Sequence, residues 1–476
     1  LDIVFDAMTD DAAWDPFTAY NIQMARWDIT STNTFIVGLW PLLFQSINAA
    51  NFAIQGIPTS SDPAFTEELQ KPYIAEARFM RAYNYLFMAP LWGDLPLITK
   101  PLASEEEFFQ ARTPKADVYK QIIEDLIYAK ENLPASWPTE YKGSPTRATA
   151  AALLTKAYAF NEEWQNAVTA GLEASSIAQS DGYYLVDDYL SIFEEENEGN
   201  PELLFYFTFI AHPDYGTNAT VMRKSRLLPP DIVTIRGAGW TGPTVQRDLY
   251  DAFEPGDPRK GYTMYSPGDF YGVYTGSNTF TINYTRYDES NGQKIEYSKT
   301  YNAGDSVEYS SDWDLTGIGQ RKLTKDVRAL ERVDRDGLDF PVLRMADLYL
   351  LIAEAYAELG NSEALVWVNK VRARASVNMP PKTMADGNLV DIVRHERRVE
   401  LAFEGRRIFD LMRWKNLGEI FPNGTTVKAH VYSDWMDPSS TLRFDAPIVE
   451  LPKHYLFPIP ENELDINPNM TQNPGY

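Results

Sequence analysis

The chain has no cysteine among its 476 residues. That absence removes disulfides, thiolate nucleophiles and thiolate metal sites together, and leaves the redox compartment open. Histidine is scarce, with four in all. His395-Glu396 has the beginning of a zincin helix, but the second histidine would have to stand at 399, where Val399 is found, so a catalytic zinc site is not expected. Basic residues are few beside acidic ones, 43 against 67, and the net charge of −24 repels phosphate backbones and anionic lipid headgroups. Nucleic acid is not expected as a partner. No apolar run reaches the roughly 18 residues a bilayer span requires. The chain opens at Leu1 with neither a basic n-region nor a signal-type apolar segment, which reads as a start removed by processing or truncation. Walker and dinucleotide-binding glycine motifs are absent as well, so nucleotide chemistry has no support.

What is present is an ordinary globular balance, 44% hydrophobic and 23% charged, sufficient for a sizeable core. Apolar residues Ile36, Leu39, Trp40, Leu43, Ile47 and Ala50 recur at helical spacing and predict a helix over 34–54, stopped by Gly56 and Pro58. A second, nearly all-round apolar helix is predicted over 72–91, with Pro72 in its first turn. Amphipathic 114–133, alanine-rich 146–160 and a helix from Trp164 follow. Lys156-Ala157-Tyr158-Ala159 and Glu354-Ala355-Tyr356-Ala357 each precede a turn and a further helix, which gives helix-turn-helix units of tetratricopeptide character. Later helices are predicted over 340–359, 362–375, 389–403 and 406–417.

Between the two helical stretches, Pro, Gly, Asp, Asn and Tyr rise and periodicity fades, with short strand-like runs such as Leu203 to Ile210. The expected fold is therefore all-α. About four tetratricopeptide-like hairpins (34–178 and 338–417) carry a large, irregular, loop-rich insertion with few short strands (180–337) and an extended C-terminal segment (418–476), all within one unit of 1–476.

A broad set of residues resembles the SusD/RagB family, the outer-membrane glycan-binding lipoproteins of Bacteroidetes. The set includes Arg78-Phe79-Met80-Arg81-Ala82-Tyr83, Leu91-Trp92-Gly93-Asp94-Leu95-Pro96-Leu97, Asp257-Pro258-Arg259, Arg344-Met345-Ala346-Asp347-Leu348-Tyr349-Leu350, Glu396-Arg397-Arg398-Val399-Glu400-Leu401, Gly405-Arg406-Arg407 and the end Gln472-Asn473-Pro474-Gly475-Tyr476. Order and spacing, more than any one element, carry the likeness from about residue 34 onward. The resemblance implies a non-catalytic protein that captures an oligo- or polysaccharide and passes it to a TonB-dependent, SusC-like transporter on the extracellular face of the outer membrane. It further implies a lipid anchor, whose cysteine this chain lacks, no cofactor, and in some relatives a structural calcium. A peptide-binding or scaffolding lid is the alternative from another class, and a glycoside hydrolase the third reading, since paired carboxylates are not excluded by a sequence with 67 acids.

Twelve aromatics fall in the 52 residues from Tyr262 to Trp313, among glycines, asparagines and aspartates. Aromatic faces stack on sugar C–H faces while polar neighbours meet the hydroxyls. The family draws ligand residues from the N-terminal loop and from insertion loops, which points to Trp27, Trp240 and Trp313, with Tyr284, Tyr287, Asn33, Arg26 and Asp269 as secondary platform or hydroxyl-binding groups. Trp40, Trp367 and Trp414 sit at helical core spacing and read as structural. Asp6, Asp10 and Asp11 form a possible cation group or a solvated acidic start. The arginines and carboxylates of 394–413 alternate at i, i+3 and i+4 spacing, the pattern of ion pairs that fasten helices.

Overall fold

The computed structural model describes residues 2–13, 23–209, 244–266, 268–273, 279–288, 293–302, 304–308, 318–323, 338–421 and 449–476. The first long helix, α1 (Thr34–Gly56), starts where the Asn33 side chain accepts hydrogen bonds from the Phe35 and Ile36 N–H groups, satisfying donors that have no intrahelical partner. Extended to Thr59, this helix is long and apolar enough to cross a membrane and carries no charged residue, which corrects the expectation that no such run exists. Its Ile36, Leu39, Trp40 and Ile47 are nevertheless built into the core.

Helix α2 (Glu67–Trp92) begins a turn earlier than Pro72 suggested. Glu67 and Glu68 occupy the first turn, where carboxylates favour the positive end of the helix dipole, and Pro72 sits within the second turn. Gly93, at φ 74°, ends the helix and returns its N–H to Ala89 O. Helices α3 (Lys115–Asn132), α4 (Arg147–Phe160) and α5 (Trp164–Ser180) follow. Thr146 and Thr149 form a reciprocal cap at the start of α4.

After the insertion come α6 (Met345–Glu358), α7 (Ala364–Arg372), α8 (Leu389–Leu401) and α9 (Arg407–Arg413). Consecutive helices pack on one another, and α6 lies against α5, so the two halves of the scaffold meet although some 160 residues separate them in sequence. At that seam a Cβ on Gly171 would stand 2.5 Å from Ile352 Cγ1. Glycine is demanded by close approach there, which outweighs its cost of about 0.5–1 kcal/mol inside a helix.

A second predicted boundary is also wrong. Residues 340–344 are a strand, β4, paired antiparallel with β1 (Leu203–Phe207), and the helix starts only at Met345. The β1–β4 pair marks where the chain leaves and re-enters the scaffold. Among the described residues of the insertion, the longest regular piece is a hairpin of β2 (Phe280–Asp288) and β3 (Gln293–Tyr301). Shorter pairings join Ala12–Ala13 to Thr244–Val245, Met264–Tyr265 to Gly319–Gln320, and Phe270–Val273 to Ser306–Glu308. Helical hairpins with a few short strands are thus the observed fold.

In the described part of the C-terminal segment, residues 449–476, a 3-10 turn at Lys453–Tyr455 and a short helix at Glu461–Ile466 are joined by irregular chain. The segment lies across the start of the scaffold. Phe457 N–H donates to Leu91 O at 2.6 Å, Trp92 Nε1–H to Pro458 O at 3.0 Å, and the Asn473 amide to both Trp92 O and Phe457 O. Trp92 in turn packs edge-on against Trp40 and Phe457, so both ends of the chain share one core.

Candidate ligand-binding surface

The sequence-predicted site residues do not converge among the described residues. Trp27 is 1% exposed. Its backbone is left-handed at φ 61°, its Nε1–H donates to Met8 O at 3.0 Å, and its ring packs against Phe421 and His454. It is therefore a core residue, and the reading of Trp27 as a glycan platform is corrected. Asn33 is 2% exposed; it caps α1 and donates from Nδ2 to Gln23 Oε1 at 2.7 Å, which corrects its assignment to ligand binding as well. Arg26 is half-buried beside Trp27. Asp269, also half-buried, braces a turn by accepting the Ser266 N–H at 2.7 Å while its own N–H returns to Ser266 O. Tyr284 and Tyr287 stand on β2, in register with Tyr297 and Lys294 of β3. Trp240 and Trp313 lie outside the described residues.

What the structure does show is how the insertion is mounted. Its Asp257-Pro258-Arg259 turn delivers a fully buried guanidinium to α8. Arg259 pairs with Asp257 at 2.7 Å, with Glu396 at 2.6 Å and with Glu400 at 3.0 Å. From β4, Arg344 reaches Glu202, Glu400 and Glu404 at 2.7–2.8 Å. Arg374, just beyond α7, joins Glu202 to Glu400, and Arg372 joins Glu254 to Glu396. Burial alone would push the Glu400 carboxyl up, but the Arg344, Arg374 and Arg259 guanidiniums outweigh it and hold the group well below the usual carboxylate range. Lys322, also from the insertion, donates to Tyr189 OH and Glu400 O and pairs with Glu404; burial brings its ammonium down to about 8. Charges buried this deeply persist only when paired and fully hydrogen-bonded.

The N-terminal acids belong to the same kind of lattice. Asp10 pairs with Arg398 and Arg407, Asp11 with Arg398, and Asp6 accepts the Gly405 N–H. Burial opposes ionisation of Asp10, yet Arg398 and Arg407 draw it down to about 2. These acids are thus neither solvated nor arranged as cation ligands. Glu254, His395 and Glu396 are the one group among the described residues with metal-like spacing. Arg372, Lys382 and Arg259 already engage its carboxylates, and His395 Nε2 lies 2.7 Å from Ala252 O, so the group reads as part of the ionic lattice. The arginines and acids of 394–413 fasten helices, as their spacing predicted. Trp40 and Trp367 are buried, and Trp414 donates to Glu354, in keeping with structural roles.

Sequence reasoning missed Arg259 and Lys322 as the posts of this mount. Arg259 had a local signal, a cation next to an Asp-Pro pair, but its partners Glu396 and Glu400 lie far along the chain, and Lys322 had no local signal at all.

Comparison with known proteins supplies the context. Residues 206–476 match the model of the SusD family, and residues 1–159 match a family described as starch-binding, associating with the outer membrane. SusD-like protein P2 of Formosa agariphila is 28% identical over 468 residues, covering 93% of this chain and 81% of that one. The starch-binding protein SusD of Bacteroides thetaiotaomicron is 30% identical over 142 residues, 29% of this chain and 22% of that one. Among solved structures, a SusD-like carbohydrate binding protein of Bacteroides fragilis superposes with a TM-score of 0.77 at 25% identity, covering 98% of this chain and 92% of that one. A laminarin binding SusD-like protein gives 0.76 at 24% identity, covering all of this chain and 94% of that one. With more than half its length matched by one family model and its fold superposing on that of a SusD-like carbohydrate binding protein, the chain belongs to the SusD family.

Proposed function

We propose that this protein is a non-catalytic, cell-surface glycan-binding protein. It captures an oligo- or polysaccharide and hands it to a TonB-dependent, SusC-like transporter at the outer membrane, where a lipid anchor holds it. Family membership along both halves of the chain carries this reading, and the relatives named for starch, laminarin and carbohydrate binding support it. The mount of the insertion gives it a physical basis. Loops fixed at their base by buried guanidinium–carboxylate contacts lose less freedom when a ligand lands on them.

The ligand residues of this reading are Trp240 and Trp313, with Tyr284 and Tyr287 on the hairpin. Glu400 and Glu404 at the base of the insertion are unsuited to general acid–base work, because the cations beside them hold both carboxyls below their ordinary range. Isothermal titration of the intact chain against starch, laminarin and xylan is the test. Binding to at least one glycan without release of reducing ends is expected, and Trp313→Ala or Trp240→Ala weakens it at least ten-fold, about 1.4 kcal/mol. Failure to bind any glycan overturns the function; undiminished affinity in both variants overturns the site.

A further inference from the structure

At one end of the helical scaffold, four aromatic rings touch in succession. Phe65 comes from the turn before α2, Tyr73 from α2 itself, and Trp137 and Tyr141 from the loop between α3 and α4. Ring centroids lie 5.8 Å apart for Phe65 and Tyr73, 6.0 Å for Tyr73 and Trp137, and 6.1 Å for Trp137 and Tyr141. Adjacent planes are inclined by 62°, 47° and 64°, so the row is faceted rather than flat. Tyr73 is 40% and Tyr141 48% exposed, and Phe65 and Trp137 are half-buried.

The rings are fixed from beneath. Trp137 Nε1–H donates to Pro145 O at 2.7 Å, Gln70 Nε2–H to Phe65 O at 2.8 Å, and Ser144 Oγ–H to Glu76 Oε1 at 3.0 Å. The polar edge of the indole is thereby spent on the protein and its ring held in one orientation. Large aromatic faces left open on a folded surface have little to gain from water. Glu76, Glu140, Lys142 and Ser144 supply hydroxyl-binding groups alongside. Lys142 also ties this loop to the root of the insertion, at 3.7 Å from both Glu198 and Asp339 and over the ring of Tyr206.

We propose that Phe65, Tyr73, Trp137 and Tyr141 form a second carbohydrate-contact site on the scaffold, at the foot of the insertion, which takes a neutral glycan. This rests on the glycan-binding reading above and adds a place and a ligand class to it. The class follows from charge: Asp62, Glu67, Glu68 and Glu140 neighbour the row in sequence against Lys71 and Lys142, on a chain of net charge −24, so a uronate or sulfate polymer is repelled. Successive facets let successive sugar units of a twisting chain each find a ring face, and the site lengthens the grip on a long polymer more than on a short oligomer.

The test uses the intact chain and the double variant Tyr73→Ala/Tyr141→Ala, whose exposed side chains leave the core untouched, with Trp313→Ala in parallel. Titration with laminarin and soluble starch, and with alginate as the polyanion, is read for affinity, and thermal unfolding confirms an unchanged fold. The double variant is expected to lose about ten-fold in affinity for the neutral polysaccharide, on the scale of two ring contacts, and much less for a short oligosaccharide. Equal affinity of the double variant and the parent for every glycan the parent binds overturns this site alone. A parent chain that binds no glycan overturns the glycan reading together with it. Loss of alginate binding in the double variant, with neutral glycans unaffected, overturns the ligand class.

Discussion

Arg344→Met is the sharpest probe of the ionic mount. Arg344 is 1% exposed, and its guanidinium serves Glu202, Glu400 and Glu404 as well as the Glu400 carbonyl, at 2.7–3.2 Å. Methionine preserves most of the stem but leaves three buried carboxylates short of a cation. Breaking a buried pair from one side costs about 3–5 kcal/mol, and with three acceptors the upper end is expected. Unfolding entropy of about 2.1 cal/mol/K per residue gives about 1 kcal/mol/K for a chain of this length, so the melting temperature should fall by about 3–5 °C. The pH dependence carries a second signature. Glu400 and Glu404 are held below their ordinary values, so the stability they contribute is present above the unfolded carboxylate range and is lost as pH falls through their folded values. Without Arg344 both carboxyls move up, although Arg259 and Arg374 still face Glu400 and Lys322 still faces Glu404, and the defect should not grow as pH is lowered from 7 to 5. Calorimetry at the two pH values, with hydrogen exchange at residues 257–263, measures both effects. A loss below about 1 kcal/mol, or one that grows toward pH 5, would refute the argument that these contacts clamp the insertion.

Other perturbations test separate parts of the fold. Burial lowers His454 to about 4, so the fold resists protonating a group that the unfolded chain protonates near 6.5. Stability should fall by about 1.4 kcal/mol per pH unit between those values, about 3 kcal/mol in all, and His454→Gln should flatten that slope in urea titrations. Burial raises Asp248 to about 6; at pH 7 the folded chain carries its charge at a cost, so Asp248→Asn should stabilise the protein there by about 1–2 kcal/mol and give no gain at pH 4. Gly171→Val places methyl groups into Ile352 and should cost about 1–3 kcal/mol by overpacking, read as a lower denaturation midpoint. Trp27→Ala should leave a cavity costing about 3–5 kcal/mol and leave glycan affinity unaltered in protein that remains folded.

The helices were legible because their apolar spacing is dense and their caps are local. Thr34, Trp164 and Leu389 were read as helix starts from a few neighbouring residues, and the structure agrees. Phe340-Pro341-Val342-Leu343-Arg344 was misread as helix because a short apolar run has no period of its own; only the partner strand at Leu203–Phe207 decides it. The β2–β3 hairpin had a usable signal in Asn291-Gly292 between alternating residues. Trp27 looked like a ligand residue because the same criterion, an indole in a polar loop, cannot see Phe421 and His454 arriving from the far end of the chain. Applied to Pro134-Ala135-Ser136-Trp137-Pro138, that criterion would have flagged Trp137, whose neighbours Tyr73 and Tyr141 are partly open to solvent.

The seam at Leu91, Trp92, Phe457 and Asn473 has a consequence for biogenesis. Trp40 and Trp92 leave the ribosome long before Phe457, so they must wait, without their lid, until it emerges. Removing Gln472-Asn473-Pro474-Gly475-Tyr476 would therefore loosen the core around Trp92, hundreds of residues earlier in the chain, and expose it to local opening.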